Sequence, residues 1–256
     1  MLLKSWLRYD WLWKFCVAKA IPQMADTKDV VGRLETADTK TKLLAIIANL
    51  RGAEEASAYD RFITSVFLSR SLKRFRKGIQ LIHRRVALGR DEEVKISVWK
   101  TGKELVIYIS MAFGNPYGDP YDEEIVFEWV NRMIGMDIGI ISLADTVGLA
   151  TAEQVFDMTS YLVGVLPGTE IGVHLHFNGD QLERKARRGG QSRLHARFDG
   201  ALKRIGRVPM ANDELVGNMN TEWMINYVWR QSCIAGVEQG SIGEMPPPGL
   251  EIFVAD

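Results

Sequence analysis

Four short runs of apolar residues constrain this chain more than any other feature. They are Leu43–Ala48 (LLAIIA), Leu105–Ser110 (LVIYIS), Ile138–Leu143 (IGIISL) and Ile171–His176 (IGVHLH). A strand with one wet face alternates apolar and polar residues. A strand apolar at nearly every position must be covered on both faces, as in a parallel sheet flanked by helices. The stretches between the runs carry helical patterning, so the chain reads as repeated strand–helix units. That is the grammar of an α/β fold, and a TIM (β/α)8-type barrel closes such units most economically. The 256 residues suit one such domain spanning 1–256.

Two intervening helices are specific. Asp122–Ile134 (DEEIVFEWVNRMI) places apolar residues at 125, 126, 129, 130, 133 and 134, and its acids fall in the first turn, where the helix dipole favours them. Thr151–Leu166 opens with Thr151 and Gln154, the spacing of a capping box. Met245-Pro246-Pro247-Pro248-Gly249 excludes helix and predicts a loop or tail.

Composition narrows the function. Thirty-two basic and 32 acidic residues give no net charge, so no global field favours nucleic acid or a membrane surface. No run of about 20 apolar residues is present to span a bilayer. The aromatic start MLLKSWLRYDWLWKF is interrupted by Lys4, Arg8, Asp10 and Lys14, unlike a signal peptide. Two cysteines, Cys16 and Cys233, form no disulfide framework, and a reducing cytoplasm is the expected compartment. Arg70–Arg90 holds eight Lys or Arg and no acid, and Glu183–Arg207 is also Arg-rich. A solvated face accounts for such runs better than a nucleic-acid surface, because Arg70–Arg90 has only Phe75 for stacking.

The strongest chemical signal is His174-Leu175-His176 at the end of an apolar run. Residues i and i+2 of a strand share a face, so both imidazoles enter a barrel interior together, at the C-terminal rim where barrel active sites lie. Two polar side chains at a strand end would give the same pattern. Asp145 ends another apolar run, where it is either a site carboxylate or a helix-capping or ion-paired residue.

Further motifs give the histidines company. PMANDELVGNMNTE (Pro209–Glu222), SLADTVGLAT (Ser142–Thr151), SMAFGNPYGDP (Ser110–Pro120), KAIPQMADT (Lys19–Thr27) and KLLAIIANLRGAE (Lys42–Glu54) occur in one order along the chain. Together they resemble the 3-hydroxy-3-methylglutaryl-CoA lyase family, and the resemblance covers more than half of the chain. It implies a TIM barrel holding Mg²⁺ or Mn²⁺, with His174, His176 and Asn218 as metal ligands. Mixed imidazole and oxygen donors with open positions suit an octahedral divalent ion. It also implies an acyl-CoA substrate, cleavage to acetyl-CoA and acetoacetate, a homodimer, and Glu222 and Asp145 as catalytic carboxyl groups. A catalytically dead acyl-CoA or metal-binding relative, and a metal-dependent aldolase or acyltransferase of the same barrel superfamily, are the alternatives.

The chain departs from that family in two places. The family's first strand carries an adjacent Arg-Asp pair, the Asp being a ligand, and no counterpart precedes KAIPQM. The family's catalytic loop reads GGCP, with the cysteine as acid, whereas this chain has Gly206-Arg207-Val208-Pro209. Valine cannot move a proton. Codons can be written for the segments from Ser5, Arg61 and Asn178 so that a neighbouring frame reads as family-like text. One expectation therefore covers all of these departures: a reading frame that shifts several times, with the first strand lost, so that 61–95 and 177–207 are out-of-frame text. Trp6, Trp11 and Trp13 then belong to the same artefact. An incomplete barrel has two open strand edges, which predicts poor solubility.

Overall fold

The computed structural model of the chain describes residues 9–15, 25–34, 42–47, 50–59, 62–70, 97–116, 118–177, 197–201 and 217–221. Strands β1 (Tyr9–Phe15), β2 (Lys42–Ile47), β3 (Phe62–Arg70), β4 (Glu104–Ser110), β5 (Ile140–Asp145), β6 (Glu170–Phe177) and β7 (Arg197–Asp199) form one parallel sheet in chain order. A two-residue strand, β8 (Gly217–Asn218), pairs antiparallel with β6. Among the described residues β1 and β7 are not paired, so the described sheet is an open arc of seven parallel strands. The chain has the α/β fold of an incomplete TIM barrel.

The four apolar runs all become strands, within two residues of the expected limits. Alternate residues of these strands face two separate layers. Leu43, Ala45, Ile47, Ile107, Ile109, Ile141, Leu143, Ile171, Val173 and Leu175 pack outward against helix residues that include Val126, Val130, Met133, Val155, Met158 and Leu162. Leu44, Val106, Tyr108, Ile140 and Ala144 form a second, inner cluster. Burial on both faces is what makes the sequence continuously apolar.

Helices α1 (Thr27–Arg33), α2 (Leu50–Ser57), α3 (Glu123–Gly135) and α4 (Ala152–Val165) belong to the outer layer. The Asp122 carboxylate caps α3 by accepting from the Ile125 amide at 2.8 Å. Thr151 and Gln154 form the expected reciprocal capping box on α4, at 3.1 and 3.0 Å. Among the described residues, no helix is long and apolar enough to cross a membrane.

Two strands fall in text expected to be out of frame. β1 contains Trp11 and Trp13, and β3 begins one residue after Arg61. β3 pairs with β2 on one side and with β4 over seven registered residues on the other. Most of Arg70–Arg90 and of Glu183–Arg207, with Cys16, Cys233, Trp6, the 206–209 loop and Met245–Gly249, lies outside the described residues.

Candidate metal centre

The inner face of β6 runs from Glu170 through Gly172 and His174 to His176. His174 and His176 lie on one face, their ring centroids 4.9 Å apart and nearly perpendicular. Each ring is held differently, and the local backbone explains both.

His176 is 2% exposed. Its Nδ1 lies 3.0 Å from the carbonyl oxygens of both Asp145 and Thr146. A carbonyl only accepts, so Nδ1 carries the proton and Nε2 keeps a lone pair. Burial first, then the charge of His174, lower the His176 pKa to about 4, against the hydrogen bonds to Asp145, Thr146 and Asn218, which raise it. The ring is therefore neutral at physiological pH, which is the state a metal ligand requires. β8 brings the amide of Asn218 to the same place, since Asn218 is registered opposite His176.

The turn that supplies those carbonyls is built by Asp145. This residue is 1% exposed, with Oδ1 accepting from Leu149 N at 2.8 Å and Oδ2 from Ala150 N at 3.1 Å. Next to it, Thr146 Oγ1 accepts from Met111 N at 3.0 Å, tying the turn after β5 to the turn after β4. Met111 has a left-handed backbone, φ 58°, a conformation uncommon for a residue with a side chain. Asp145 thus shapes the turn beside the histidines through backbone hydrogen bonds, while the N-cap of α4 is Thr151.

One buried group was not anticipated. Asp199 ends β7 opposite His174 in the β6–β7 register. Its Oδ2 lies 3.4 Å from His174 Nδ1 and accepts a short hydrogen bond from the Tyr108 hydroxyl. Its Oδ1 lies 3.4 Å from Arg197 Nε, while Arg197 Nη2 donates to Tyr108 at 3.3 Å and Arg197 Nη1 approaches Glu170 at 3.7 Å. Burial pushes the Asp199 carboxyl up, but the His174 hydrogen bond and the Arg197 charge outweigh it and hold the carboxyl below its usual range. Burial and then the Asp199 charge push the Tyr108 hydroxyl well above its usual value. The sequence signal was present in Arg197-Phe198-Asp199, whose i, i+2 polar pair copies the pattern of the histidines.

The residues present fit a divalent cation. Two imidazoles share one face at the C-terminal end of β6, Asn218 is registered opposite the second, and His176 has its Nδ1 proton committed elsewhere. Hydrogen bonding of the second ring nitrogen to a carbonyl or carboxylate is the common arrangement of metal-bound histidine. Among the described residues, no group of three or more His, Cys, Asp or Glu is placed to hold a metal. Glu222 lies outside the described residues.

An open arc of parallel strand–helix units with a histidine pair at its C-terminal rim defines a TIM-barrel-type fold. Its structure overlays on the HMG-CoA lyase of Bacillus subtilis with a TM-score of 0.81, covering 98% of this chain and 86% of that one at 22% identity. An HMG-CoA lyase of Acinetobacter baumannii, in complex with coenzyme A and 3-methylmalate, gives a TM-score of 0.80, with 92% and 75% covered at 21% identity. In sequence, the chain is 26% identical over 230 residues to the cytoplasmic 3-hydroxy-3-methylglutaryl-CoA lyase of Rattus norvegicus, covering 90% of this chain and 66% of the relative. It is 30% identical over 166 residues to the mitochondrial hydroxymethylglutaryl-CoA lyase of Mus musculus, covering 63% and 49%. No protein-family model matches. The chain is a homologue of the hydroxymethylglutaryl-CoA lyases. The matched part spans 66% of the rat relative, 34% of an Arabidopsis thaliana one and 64% of the cytoplasmic mouse one.

Proposed function

We propose that this chain is a carbon–carbon lyase homologue whose His174, His176 and Asn218 hold Mg²⁺ or Mn²⁺ and present it to a 3-hydroxyacyl-CoA. The observation that supports this most is the Nδ1 of His176, fixed by two backbone carbonyls at 3.0 Å so that its other nitrogen faces the shared site. A bound divalent ion would acidify the substrate's tertiary hydroxyl and stabilise the charge that develops as the carbon–carbon bond breaks. The reaction is retro-Claisen cleavage of 3-hydroxy-3-methylglutaryl-CoA. The hydroxyl loses its proton, the bond between C2 and C3 breaks, and its electrons pass to C2. Acetoacetate leaves, and C2 takes up a proton to give acetyl-CoA.

The chain's own residues divide this work unequally. His174 and His176 bind, Asn218 adds an oxygen donor, and Asp145 shapes the turn beside them. Glu222 and Asp145 are the carboxyl groups proposed for the site. Delivery of the final proton is the weak step, because Val208 stands where the related loop has its acid cysteine. That residue favours a second reading, in which the chain binds metal and acyl-CoA without turning substrate over. Cytoplasmic location and a homodimer belong to the same proposal.

The test is acetoacetate release by the purified chain with Mn²⁺ and 3-hydroxy-3-methylglutaryl-CoA. Turnover abolished by His174→Ala supports the lyase. Metal binding without turnover supports the second reading, and absence of both metal binding and turnover overturns the site.

A further inference from the structure

The two histidines of the centre are oriented by different groups, and this difference carries an inference. Backbone carbonyls hold His176, whereas a carboxylate faces His174. We propose that Asp199 is a positioning residue for His174, accepting a hydrogen bond from its Nδ1 so that Nε2 is turned toward the cation site. This rests on the metal reading above and assigns to it a residue that the motifs did not indicate.

Four observations support the assignment. Asp199 Oδ2 is 3.4 Å from His174 Nδ1, and the two residues are registered partners on adjacent strands. The contact sets a carboxylate oxygen, which accepts, against an imidazole nitrogen, which can donate. Asp199 is itself held in place: Tyr108 donates to the same Oδ2, and Arg197 Nε lies 3.4 Å from Oδ1. The arginine is in turn accommodated by Gly172, where a Cβ would stand only 3.3 Å from Nε and Nη2. The Tyr108 ring also meets the His174 ring edge-on, with centroids 5.7 Å apart, which limits rotation of the imidazole.

The experiment compares the full chain with Asp199→Asn by two independent readouts. In the metal-free protein, ¹⁵N NMR of the histidine rings reports which nitrogen of His174 is protonated. Free Mn²⁺ measured by electron paramagnetic resonance reports affinity. The expected results are an Nδ1–H tautomer at His174 in the parent, loss of that preference in Asp199→Asn, and Mn²⁺ binding weakened on the order of 10- to 100-fold. An Nε2–H tautomer in the parent overturns the proposal, as does a folded Asp199→Asn chain that binds Mn²⁺ as tightly as the parent. The parent tautomer decides the matter if the variant does not fold. A parent that binds no Mn²⁺ but shows the Nδ1–H tautomer removes the metal reading and leaves the pairing of Asp199 with His174 standing.

Discussion

The Nδ1 of His176 donates into the carbonyl oxygen of Asp145, 3.0 Å away across two neighbouring strands, so the end of β5 fixes the ring at the end of β6. A ligand held this way loses little freedom when a cation arrives. Saturating Mn²⁺ should therefore raise the melting temperature of the chain. Binding to the native state alone contributes about 2.7 kcal/mol at one hundred times Kd. A chelator should reverse the rise, and His174→Ala with His176→Ala should abolish it. Thermal melts with and without Mn²⁺ read the difference. An equal rise in the double variant would place the cation elsewhere.

The same turn makes Asp145 a stability residue before it is anything else. Asp145→Ala leaves the amides of Leu149 and Ala150 without the carboxylate that each donates to. The Ala150 amide is buried and costs about 1–3 kcal/mol when unsatisfied, while the part-buried Leu149 amide costs less, so a loss of roughly 1–4 kcal/mol is expected in urea denaturation. Asp145→Asn retains one acceptor oxygen and should lose about half as much. A purely catalytic Asp145 would instead lower turnover with the unfolding midpoint unchanged.

Tyr121 gives the chain a predictable response to alkali. Its hydroxyl donates to Ala112 O at 2.9 Å. Burial, followed by the charges of Glu123, Asp122 and Asp145, raises its pKa to about 12. The folded state therefore holds this proton more tightly than the unfolded chain does. The stability linked to it is fully present below about pH 10 and is lost as pH rises from there through 12. Tyr121→Phe should flatten that part of the stability profile. Denaturant midpoints from pH 9 to 12 measure it, and identical slopes for the two proteins would refute the linkage.

Much of the arc was legible because covered strands have no polar positions to disguise them. LLAIIA, LVIYIS and IGVHLH could only be buried. The capping box at Thr151 was legible because it is local chemistry, complete within four residues, whereas Asp122, read as a first-turn acid, is the N-cap of its helix. β7 and β8 were not, since three and two residues are too few to display a period. Asp199 was missed for that reason: its importance comes from the pairing of β7 with β6, which nothing in RFD alone reveals. Asn218 was found only through resemblance, and its antiparallel bridge to His176 has no sequence signature. β1 and β3 mix charged, hydroxyl and aromatic residues, so their pattern did not separate a strand from out-of-frame text.

That last ambiguity has a direct test. A chain encoded in one intact frame yields tryptic peptides across 61–95 that match FITSVFLSR, residues 62–70, and the basic segment after it. A shifted frame yields none of them. Mass spectrometry of the protein from its native source decides between the two. Recovery of those peptides would remove the frameshift account and make Arg70–Arg90 a genuine feature of the fold.

Gly172→Ala probes the buried polar column from below without touching a proposed ligand. The new methyl would stand 3.0 Å from Ser142 Oγ and 3.3 Å from Nε and Nη2 of Arg197, closer than ordinary packing. β6 is paired on both sides at this position, with Ser142 and Arg197 as its neighbours, so the backbone has little room to retreat. The guanidinium must shift, and Asp199 loses part of its anchor. Overpacking of this kind costs about 1–3 kcal/mol, read by denaturation. Mn²⁺ affinity should fall as well, by less than in Asp199→Asn, because the carboxylate itself remains. Unchanged stability together with unchanged affinity would show that the column adapts freely and does not position the histidine above it.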